Sequence, residues 1–389
     1  MAKVVITPKK LKGEIAAISS KSYAHRIFIA ASLSAKETNV VCTDMSDDIK
    51  TTVSCLKSIK CGTKIECRES GSTLRFLLPL AAAMLNKTNS FEFSGSGNLP
   101  ERPIFDLINV LSEKSVRFSS SKLPFFITGK LDNGDFRLPG NVSSQYISGL
   151  LMALPLLNGD SKIIVDGLDA LQSKSYIEIT KDTLKKFGVF SEQKEYGYFI
   201  KGGQVYTSPG EVIVEGDWSN AAFFIAANKL GCDVNVSGLN YNSKQGDKKI
   251  TDILNQIGNS IDISDTPDLF PVLAVVASVY EGVTEFLSTD RLKLKESDRI
   301  ESVKAMLIGL GFNTNMFKVY DDRIVIIGDS LSGGTVYSFN DHRIVMAAAI
   351  AACVCEDPVT IRGGEAVRKS YPRFFNDYKK LGGDVVVDF

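Results

Sequence analysis

Residues 340 to 355 read NDHRIVMAAAIAACVC, a polar cluster followed at once by an uncharged apolar run from Ile344 to Cys355. Asp341 is a residue type that caps helix amino termini, and a run that is apolar around most of its circumference is typical of a fully buried helix. The run is too short to span a bilayer, which requires about 20 residues. The stretch therefore predicts a helix inside a protein core, with a polar cluster at its amino end.

The same pattern occurs six times along the chain. Successive spacings of 49, 72, 75, 49 and 74 residues separate one marker in each polar cluster, namely Ser22, Gly71, Ser143, Trp218, Pro267 and Asp341. Any α/β protein contains several capped helices, but the recurrence of 49 followed by 72 or 74 favours a duplication. We predict two halves of three units each.

Short β-branched runs lie between these helices and predict strands, at 162–165, 212–215, 323–327 and 384–387. Two segments are more amphipathic and should cover the outside, at 176–187 and 297–310. We therefore expect an α/β fold of two similar domains with buried helices inside sheets. The domain boundary is predicted near residues 214–217.

Composition excludes several classes of protein. The 389 residues suffice for about two domains, and 45 Lys and Arg against 45 Asp and Glu argue against a nucleic-acid protein that binds through an overall positive field. Seven irregularly spaced cysteines and two histidines predict reduced thiols and no structural zinc site. The residues from Met1 to Pro8 do not resemble a signal peptide, so we expect a cytoplasmic protein.

Cationic side chains accumulate in and near the polar clusters. Aligned helix amino termini attract anions, and Arg and Lys suit phosphate and carboxylate groups. Any one of these residues alone is better explained as a surface or ion-pair residue. As a set they predict a phosphate- or carboxylate-binding site that includes Lys21, Arg26, Arg75, Arg102, Lys295, Arg299, Arg343 and Lys369.

Two carboxylates are candidates for acid–base chemistry. Asp268 lies at the start of the fifth apolar run, and Glu296 lies in the segment KLKESDR, residues 293–299. A carboxylate among several cations is held ionised, which suits a base. The alternative is that Asp268 is a plain helix cap and Glu296 a helix-start charge, and the residues alone leave this choice open.

The polar clusters together resemble the enolpyruvyl transferase family, in particular its EPSP synthase (3-phosphoshikimate 1-carboxyvinyltransferase) branch. The resemblance extends in order from residue 21 to residue 372. Its most specific parts are LPERP at 99–103, KESDR at 295–299 and NDHR at 340–343. Weaker parts are Lys21-Ser22-x-x-x-Arg26, Ser70-Gly71-Ser72-Thr73-x-Arg75, Ser143-Ser144-Gln145, Ser173-Lys174-x-Tyr176 and Lys369-Ser-Tyr-Pro372.

The resemblance implies two inside-out, barrel-like α/β domains, each of three βαβαββ repeat units with buried helices. Residues 20–216 would form the first domain, on the side of shikimate 3-phosphate. Residues 1–19 and 217–389 would form the second, with the active site in the cleft between the domains. It also implies a monomer with no metal, no organic cofactor, and no membrane or nucleic-acid partner.

The resemblance further implies that the chain transfers the enolpyruvyl group of phosphoenolpyruvate to the 5-hydroxyl of shikimate 3-phosphate. By this resemblance, three residues would be catalytic. Asp268 would remove the proton of the hydroxyl, Glu296 would move the proton at C3, and Lys21 would stabilise the leaving phosphate. Phosphoenolpyruvate would be held by Lys21, Gly71, Arg102, Gln145, Arg299, Arg343 and Lys369. Shikimate 3-phosphate would be held by Ser22, Arg26, Ser143, Ser144, Gln145, Ser173, Tyr176, Asp268 and Lys295.

Several positions depart from the family pattern, among them Glu69 and Arg291, which stand where members usually carry Asn. Because of these departures, the resemblance does not predict whether family inhibitors such as glyphosate would act on this chain. Glu69 is expected to pair with a neighbouring Arg. One alternative function is transfer to UDP-N-acetylglucosamine, but that enzyme uses a loop cysteine and residues 94–103 contain none. A second alternative is an inactive paralogue that only binds an anion.

Overall fold

The computed structural model describes residues 2–86, 89–140, 143–168 and 171–388, without the side chain of Cys61. These fall into two compact units. Unit 1 comprises Met1–Ser20 and Glu215–Phe389, and unit 2 comprises Lys21–Val214. The predicted domains divide after residues 19 and 216, whereas the units divide after residues 20 and 214.

The helices of unit 2 are α1 (Lys21–Leu33), α2 (Asp47–Cys61), α3 (Gly71–Ala83), α4 (Phe105–Ser112), α5 (Ser144–Ala153) and α6 (Lys174–Lys186). Those of unit 1 are α7 (Trp218–Lys229), α8 (Ile250–Leu254), α9 (Phe270–Ser278), α10 (Arg299–Gly309), α11 (His342–Ala351) and α12 (Phe374–Lys380). All six apolar runs are helices, as predicted, and so are the two amphipathic segments. Five of the six helices begin before their apolar runs, because residues of the polar clusters form their first turns; α9 begins one residue inside its run, at Phe270.

In its described residues, unit 2 contains two four-stranded sheets and one strand pair. The first sheet contains β4 (Lys64–Glu66), β5 (Phe91–Ser94), β7 (Phe125–Gly129) and β6 (Val116–Phe118) in that order. The second contains β8 (Asp135–Pro139), β9 (Ser161–Asp166), β11 (Gly197–Ile200) and β10 (Glu192–Lys194). The pair is β3 (Asn39–Val41) with β12 (Glu211–Ile213).

Unit 1 has the same set of sheets. One contains β14 (Ser260–Asp262), β15 (Val283–Leu287), β17 (Arg323–Ile327) and β16 (Phe317–Val319). The other contains β18 (Gly334–Tyr337), β19 (Val359–Arg362), β1 (Lys3–Thr7) and β20 (Asp384–Asp388). The pair is β2 (Lys12–Ala16) with β13 (Asp233–Ser237).

The four larger sheets share one pairing pattern. In each, a parallel pair is followed by two antiparallel pairings, as in β4–β5, β5–β7 and β7–β6. In the last sheet the amino-terminal strand β1 takes the third position, where Val4 lies opposite both Ile361 and Val387. This recurrence supports the predicted duplication and confirms the α/β class. Each sheet is open in the described ranges, so the barrel-like arrangement stays a prediction.

Each unit has its own apolar core around three buried helices. In unit 2 these are α1, α3 and α5, and in unit 1 they are α7, α9 and α11. Every residue of α9 is buried, from Phe270 to Ser278, as expected for a helix enclosed on all sides. In the part of the chain that the structure describes, no helix has the length and apolarity needed to cross a bilayer.

Candidate active site

The predicted cap chemistry is confirmed at four of the polar clusters and is wrong at a fifth. Ser70, Ser143, Asp217 and Asp341 each accept a hydrogen bond from a backbone N–H in the first turn of their helix. Helix α9 instead begins after Leu269, without a side-chain cap. The carboxylate of Asp268 faces three cations. The start of α9 thus does not support the plain-cap alternative for Asp268, and the catalytic role of Asp268 stays a prediction.

Asp268 is the centre of a charged cluster in unit 1. Its Oδ1 lies 2.5 Å from Nη1 of Arg299 and 3.4 Å from Nζ of Lys295, and its Oδ2 lies 3.2 Å from Nη2 of Arg343. Nη1 of Arg343 also donates to the Asp268 carbonyl, at 3.1 Å. Three side chains predicted from two separate motifs, KESDR and NDHR, thus surround one carboxylate.

Arg299 connects this carboxylate to two others. Its side chain is 1% exposed, and its Nη2 and Nε bond Glu296 at 2.7 Å and Asp341 at 3.0 Å. Burial opposes the charge of Arg299, but attraction to Asp341, Glu296 and Asp268 outweighs burial and raises its pKa above the usual value. The cluster therefore contains three cations and three carboxylates, and Arg299 holds both candidate acid–base groups in place.

Two further cations lie beside this cluster. Lys369 donates from Nζ to the carbonyl of Asn340, at 2.8 Å, in the turn that leads into α11. Arg291 lies close enough to Lys295 for its charge to act there: burial, then Arg299 and Arg291, lower the pKa of Lys295, while Asp268 opposes the shift. The departure at Arg291 thus adds positive charge next to a predicted substrate-binding lysine.

A buried carboxyl group that the sequence did not single out acts on the same cluster. Asp247 lies in the turn before α8, and Ser219 donates to its Oδ2. Its Oδ1 has no hydrogen-bond partner among the described residues. Burial raises the pKa of Asp247 to about 7; repulsion from Asp268 adds to the shift and attraction to Arg343 opposes it. Asp247 precedes Asp268 by 21 residues, and nothing in the sequence around it indicates that the two side chains lie close together.

The Asp247→Asn variant is expected to have a higher free energy of unfolding than the native chain, and this difference should grow as the pH rises. Because the folded pKa of about 7 exceeds the usual 3.8, the folded state retains a proton that the unfolded chain loses between these values. The native carboxyl group therefore destabilises the fold progressively across that window, by roughly 1.4 kcal/mol per pKa unit, whereas Asn stays neutral. Urea unfolding at pH 5 and pH 8, followed through Trp218, measures the difference.

Asp233→Asn is the matched control, because Asp233 forms an exposed ion pair with Lys12 in the same unit. Its effect should not grow between the two pH values. An Asp247→Asn effect of equal size at pH 5 and pH 8 would show that this carboxyl group has an ordinary pKa in the folded protein.

In unit 2, the first turn of α1 carries an ion pair. Nζ of Lys21 lies 3.0 Å from Oδ2 of Asp48 on α2, and both side chains are largely enclosed, at 14% and 16% exposed. The Asp48 partner was not predicted, because the preceding cap at Ser46 gives no sign of which helix α2 faces. The carboxylate holds the Lys21 ammonium group at the helix start.

Arg26 lies deeper, one turn along the helix. It donates to Oγ1 of Thr180 at 2.6 Å, to Oγ of Ser148 at 3.2 Å, and to the carbonyls of Ser22 and Tyr176 at 2.7 and 3.0 Å. Burial lowers its pKa to about 10. These bonds join α1, α5 and α6, so Arg26 supports the surroundings of Ser22 and Tyr176. Its predicted contact with shikimate 3-phosphate stays a prediction.

The amino ends of α3 and α5 form the second group in unit 2. A Cβ atom added to Gly71 would lie 2.6 Å from Nη1 of Arg102 and 2.8 Å from Nη1 of Arg75, so both guanidinium groups face this turn. Gln145 accepts from Arg75 at 3.0 Å and donates to Ser72 at 2.9 Å. The sequence placed Arg75 in the predicted anion-binding set without a substrate of its own. Its position one helical turn after Gly71 is the signal that places it at this turn.

The serine motifs lie at the starts of α5 and α6. Ser143 accepts a bond from the backbone of Gln145, and Ser144 beside it is buried. Ser173 has a φ of 59°, in the left-handed region that few residues other than glycine adopt, and its carbonyl accepts from the backbone of Tyr176. Such strain is typical of functional sites. These residues therefore suit the predicted role in binding a polar substrate.

Glu69 does contact the loop that carries Arg102. A Cβ atom on Gly97 would lie 2.7 Å from the Glu69 carboxyl carbon, so this side chain packs over the loop. Its pairing with a neighbouring Arg stays a prediction. The cleft predicted between the domains likewise stays a prediction.

Comparison with known proteins supplies the context for both groups. The family model of EPSP synthase (3-phosphoshikimate 1-carboxyvinyltransferase) matches residues 5–64, 57–265 and 258–378. The 3-phosphoshikimate 1-carboxyvinyltransferase of Clostridium perfringens (strain ATCC 13124) is 41% identical over 428 aligned positions, covering 98% of this chain and 99% of the relative. That of Clostridium kluyveri is 40% identical, covering 99% and 98%.

Solved structures agree at the level of the fold. An EPSP synthase from Acinetobacter baumannii superposes with a TM-score of 0.80 at 21% identity, covering 100% of both chains. A second structure of EPSP synthase from that organism has a TM-score of 0.78 at 20% identity, with the same coverage.

Proposed function

Because this chain belongs to the EPSP synthase family, the 3-phosphoshikimate 1-carboxyvinyltransferases, we propose that the side chains grouped in units 1 and 2 bind its two substrates and move the protons of its reaction. The chain is an enolpyruvyl transferase of the shikimate pathway, on the route to aromatic amino acids. It transfers the enolpyruvyl group of phosphoenolpyruvate to the 5-hydroxyl of shikimate 3-phosphate and releases phosphate.

The proposed reaction is an addition followed by an elimination. The 5-hydroxyl oxygen attacks C2 of phosphoenolpyruvate, the C2–C3 double bond breaks, and C3 gains a proton. The resulting tetrahedral phosphate ketal then loses phosphate from C2 and a proton from C3, which restores the double bond. The hydroxyl proton and the C3 proton each need a group that accepts or donates it.

The observation that carries the proposal is the Asp268 carboxylate among Lys295, Arg299 and Arg343. We assign removal of the 5-hydroxyl proton to Asp268, because the cations keep it in the charged form that a base requires. Glu296, bonded to the same Arg299, moves the proton at C3. Lys21 supplies positive charge to the leaving phosphate, which is electrostatic stabilisation of the transition state.

The remaining roles follow the two groups of cations and hydroxyls. Gly71, Arg102 and Gln145, together with Arg343 and Lys369, would hold the phosphate and carboxylate of phosphoenolpyruvate. Shikimate 3-phosphate would be held through Ser22, Arg26, Ser143, Ser144, Gln145, Ser173, Tyr176, Asp268 and Lys295. Every nitrogen of Arg299 already bonds a carboxylate, so we assign it chiefly to orienting Asp268 and Glu296, alongside its predicted contact with phosphoenolpyruvate.

The finer architecture is also a proposal. The repeated sheet pairing and the three buried helices of each unit support three βαβαββ repeats per unit in an inside-out arrangement. A cytoplasmic location and a monomeric state stay predictions.

The acceptor is tested by phosphate release from phosphoenolpyruvate, with shikimate 3-phosphate or UDP-N-acetylglucosamine as the second substrate, in the presence of a chelator. We expect release with shikimate 3-phosphate alone. Release only with the sugar nucleotide would overturn the acceptor, and no release with either would favour an inactive anion-binding paralogue.

Gly71→Ala is expected to raise the KM for phosphoenolpyruvate. The added methyl group would lie 2.6 Å from Nη1 of Arg102, so this guanidinium must move. A displacement of about 1 Å at a binding group can cost up to roughly a hundredfold, and we expect about a tenfold rise here. Steady-state kinetics should show little change in the KM for shikimate 3-phosphate.

Gly62→Ala is the control, because a Cβ atom there meets its nearest neighbour at an ordinary 3.4 Å. It should leave both KM values unchanged. Equal rises in the two KM values for Gly71→Ala would contradict the assignment of this turn to phosphoenolpyruvate.

A further inference from the structure

A continuous chain of buried hydrogen bonds links three helices of unit 2. Nδ1 of His25 on α1 lies 2.7 Å from Oγ1 of Thr52 on α2, which lies 2.7 Å from Oγ1 of Thr73 on α3. Thr73 in turn donates to Oγ of Ser70, the cap of α3, at 2.7 Å. All four side chains are at most 1% exposed. Buried polar chains of this kind are costly to interrupt, because each broken bond strands a polar group away from water.

The direction of these hydrogen bonds follows because each hydroxyl group has only one hydrogen to donate. Thr73 donates its single hydroxyl hydrogen to Ser70, so it can only accept from Thr52. Thr52 has then used its own hydrogen and must accept from His25. His25 therefore carries its hydrogen on Nδ1. Its Nε2 is buried without a hydrogen-bond partner among the described residues, and the imidazole ring packs edge-on against Phe76. A hydrogen on Nε2 would be a buried donor without an acceptor, which folded proteins rarely tolerate.

His25 is neutral in this position. Burial, followed by repulsion from Lys21 and Arg26, lowers the pKa of His25 well below 6.5. The histidine thus acts as a fixed donor and does not titrate near neutral pH.

The chain runs directly beneath two groups that the proposed function uses. His25 lies one helical turn after Lys21, and Thr52 lies one turn after Asp48, so the Lys21–Asp48 pair and the His25–Thr52 bond are successive contacts between α1 and α2. At its other end, Ser70 immediately precedes Gly71. The same four side chains therefore connect the start of α1 to the start of α3.

We propose that His25 and Thr52 are positioning residues for phosphoenolpyruvate, which fix the Lys21 ammonium group and the Gly71 turn relative to one another through Thr73 and Ser70. This inference rests on the proposed function, because it assigns Lys21 and Gly71 to that substrate. Neither His25 nor Thr52 touches a substrate in this scheme. Their contribution is geometric, and it should therefore affect one substrate more than the other.

Thr52→Val removes the hydroxyl and keeps the shape of the side chain, whereas Thr52→Ser keeps the hydroxyl. We expect Thr52→Val to raise the KM for phosphoenolpyruvate about five- to tenfold, with the KM for shikimate 3-phosphate changed less than about twofold. The Thr52→Ser variant should have the native KM for phosphoenolpyruvate. An equal rise in both KM values, no rise, or failure of Thr52→Ser to restore the native KM would overturn the proposal.

The hydrogen-bond chain itself is tested without turnover. The protein has only two histidines, so long-range ¹H–¹⁵N spectra of the full chain contain two imidazole patterns, and His25→Asn identifies the one from His25. We expect the Nδ1–H tautomer in the native chain and a shifted Nδ1–H signal in Thr52→Val, where this hydrogen loses its acceptor. An Nε2–H tautomer in the native chain would overturn the inference. Because this readout needs no substrate, it separates failure of the hydrogen-bond chain from failure of the proposed function, which the phosphate assay on the native chain reports.

Discussion

Asp268→Asn is expected to lower kcat by about 10²- to 10⁴-fold, the usual contribution of a general base. The amide keeps the size of the carboxylate but cannot accept the 5-hydroxyl proton. The charged cluster of Lys295, Arg299 and Arg343 keeps all its cations and loses one of its three carboxylates. The KM for phosphoenolpyruvate should therefore not rise, because the site becomes more positive toward an anionic substrate. Steady-state kinetics with both substrates measures the two constants.

The exposed pair of Asp233 with Lys12 supplies the control for this change as well. Asp233→Asn removes a carboxylate of unit 1 that is 79% exposed, and it should leave kcat unchanged. If Asp268→Asn retained kcat within about threefold of the native value, Asp268 would not be the base.

Arg299→Met is expected to lower the free energy of unfolding of unit 1 by about 3–5 kcal/mol, the usual cost of removing one partner from a buried ion pair. Arg299 is buried and bonds Asp268, Glu296 and Asp341, so its loss leaves one fully buried and two partly buried carboxylates without their shared cation. Methionine replaces the length of the side chain but none of its hydrogen bonds. Urea unfolding followed through Trp218, the only tryptophan, reports on unit 1.

Arg323→Met is the matched comparison. Arg323 pairs with Glu285 at 2.9 Å in the same unit, but its side chain is 43% exposed. Surface pairs contribute about 0–1 kcal/mol, so this variant should unfold close to the native protein. A similar, small loss for both variants would mean that Arg299 does not hold the cluster together.

The buried helices could be predicted because their signal is local. A run such as Leu269 to Tyr280 is too apolar for a surface helix and too short for a membrane span, which leaves the core. The doubled spacing of the polar clusters predicted two similar halves, and the recurring sheet pairing supports them. The completion of the last sheet by β1 could not be predicted, because nothing in Lys3–Thr7 indicates which strands it joins.

The sequence predicted which residues belong to the candidate site, but not which residues they contact. Glu296, Arg299 and Arg343 were recognised from their motifs, and Asp268 from its place at the start of an apolar run. The sharing of Arg299 among three carboxylates, however, depends on the packing of α9, α10 and α11. Arg26 is a similar case, since its partners on α5 and α6 lie 122 to 154 residues away along the chain. Asp247 was missed because a buried carboxyl group leaves no pattern in a polar turn.

In the proposed reaction, this chain adds the 5-hydroxyl of shikimate 3-phosphate to phosphoenolpyruvate and then eliminates phosphate. The most direct test is to run the native protein with both substrates in D₂O and to analyse the product by mass spectrometry. Because C3 gains a proton from the site and later loses one, we predict 5-enolpyruvylshikimate 3-phosphate with deuterium in its methylene group. A product whose methylene hydrogens all come from phosphoenolpyruvate would contradict the addition step, and the absence of this product would contradict the function.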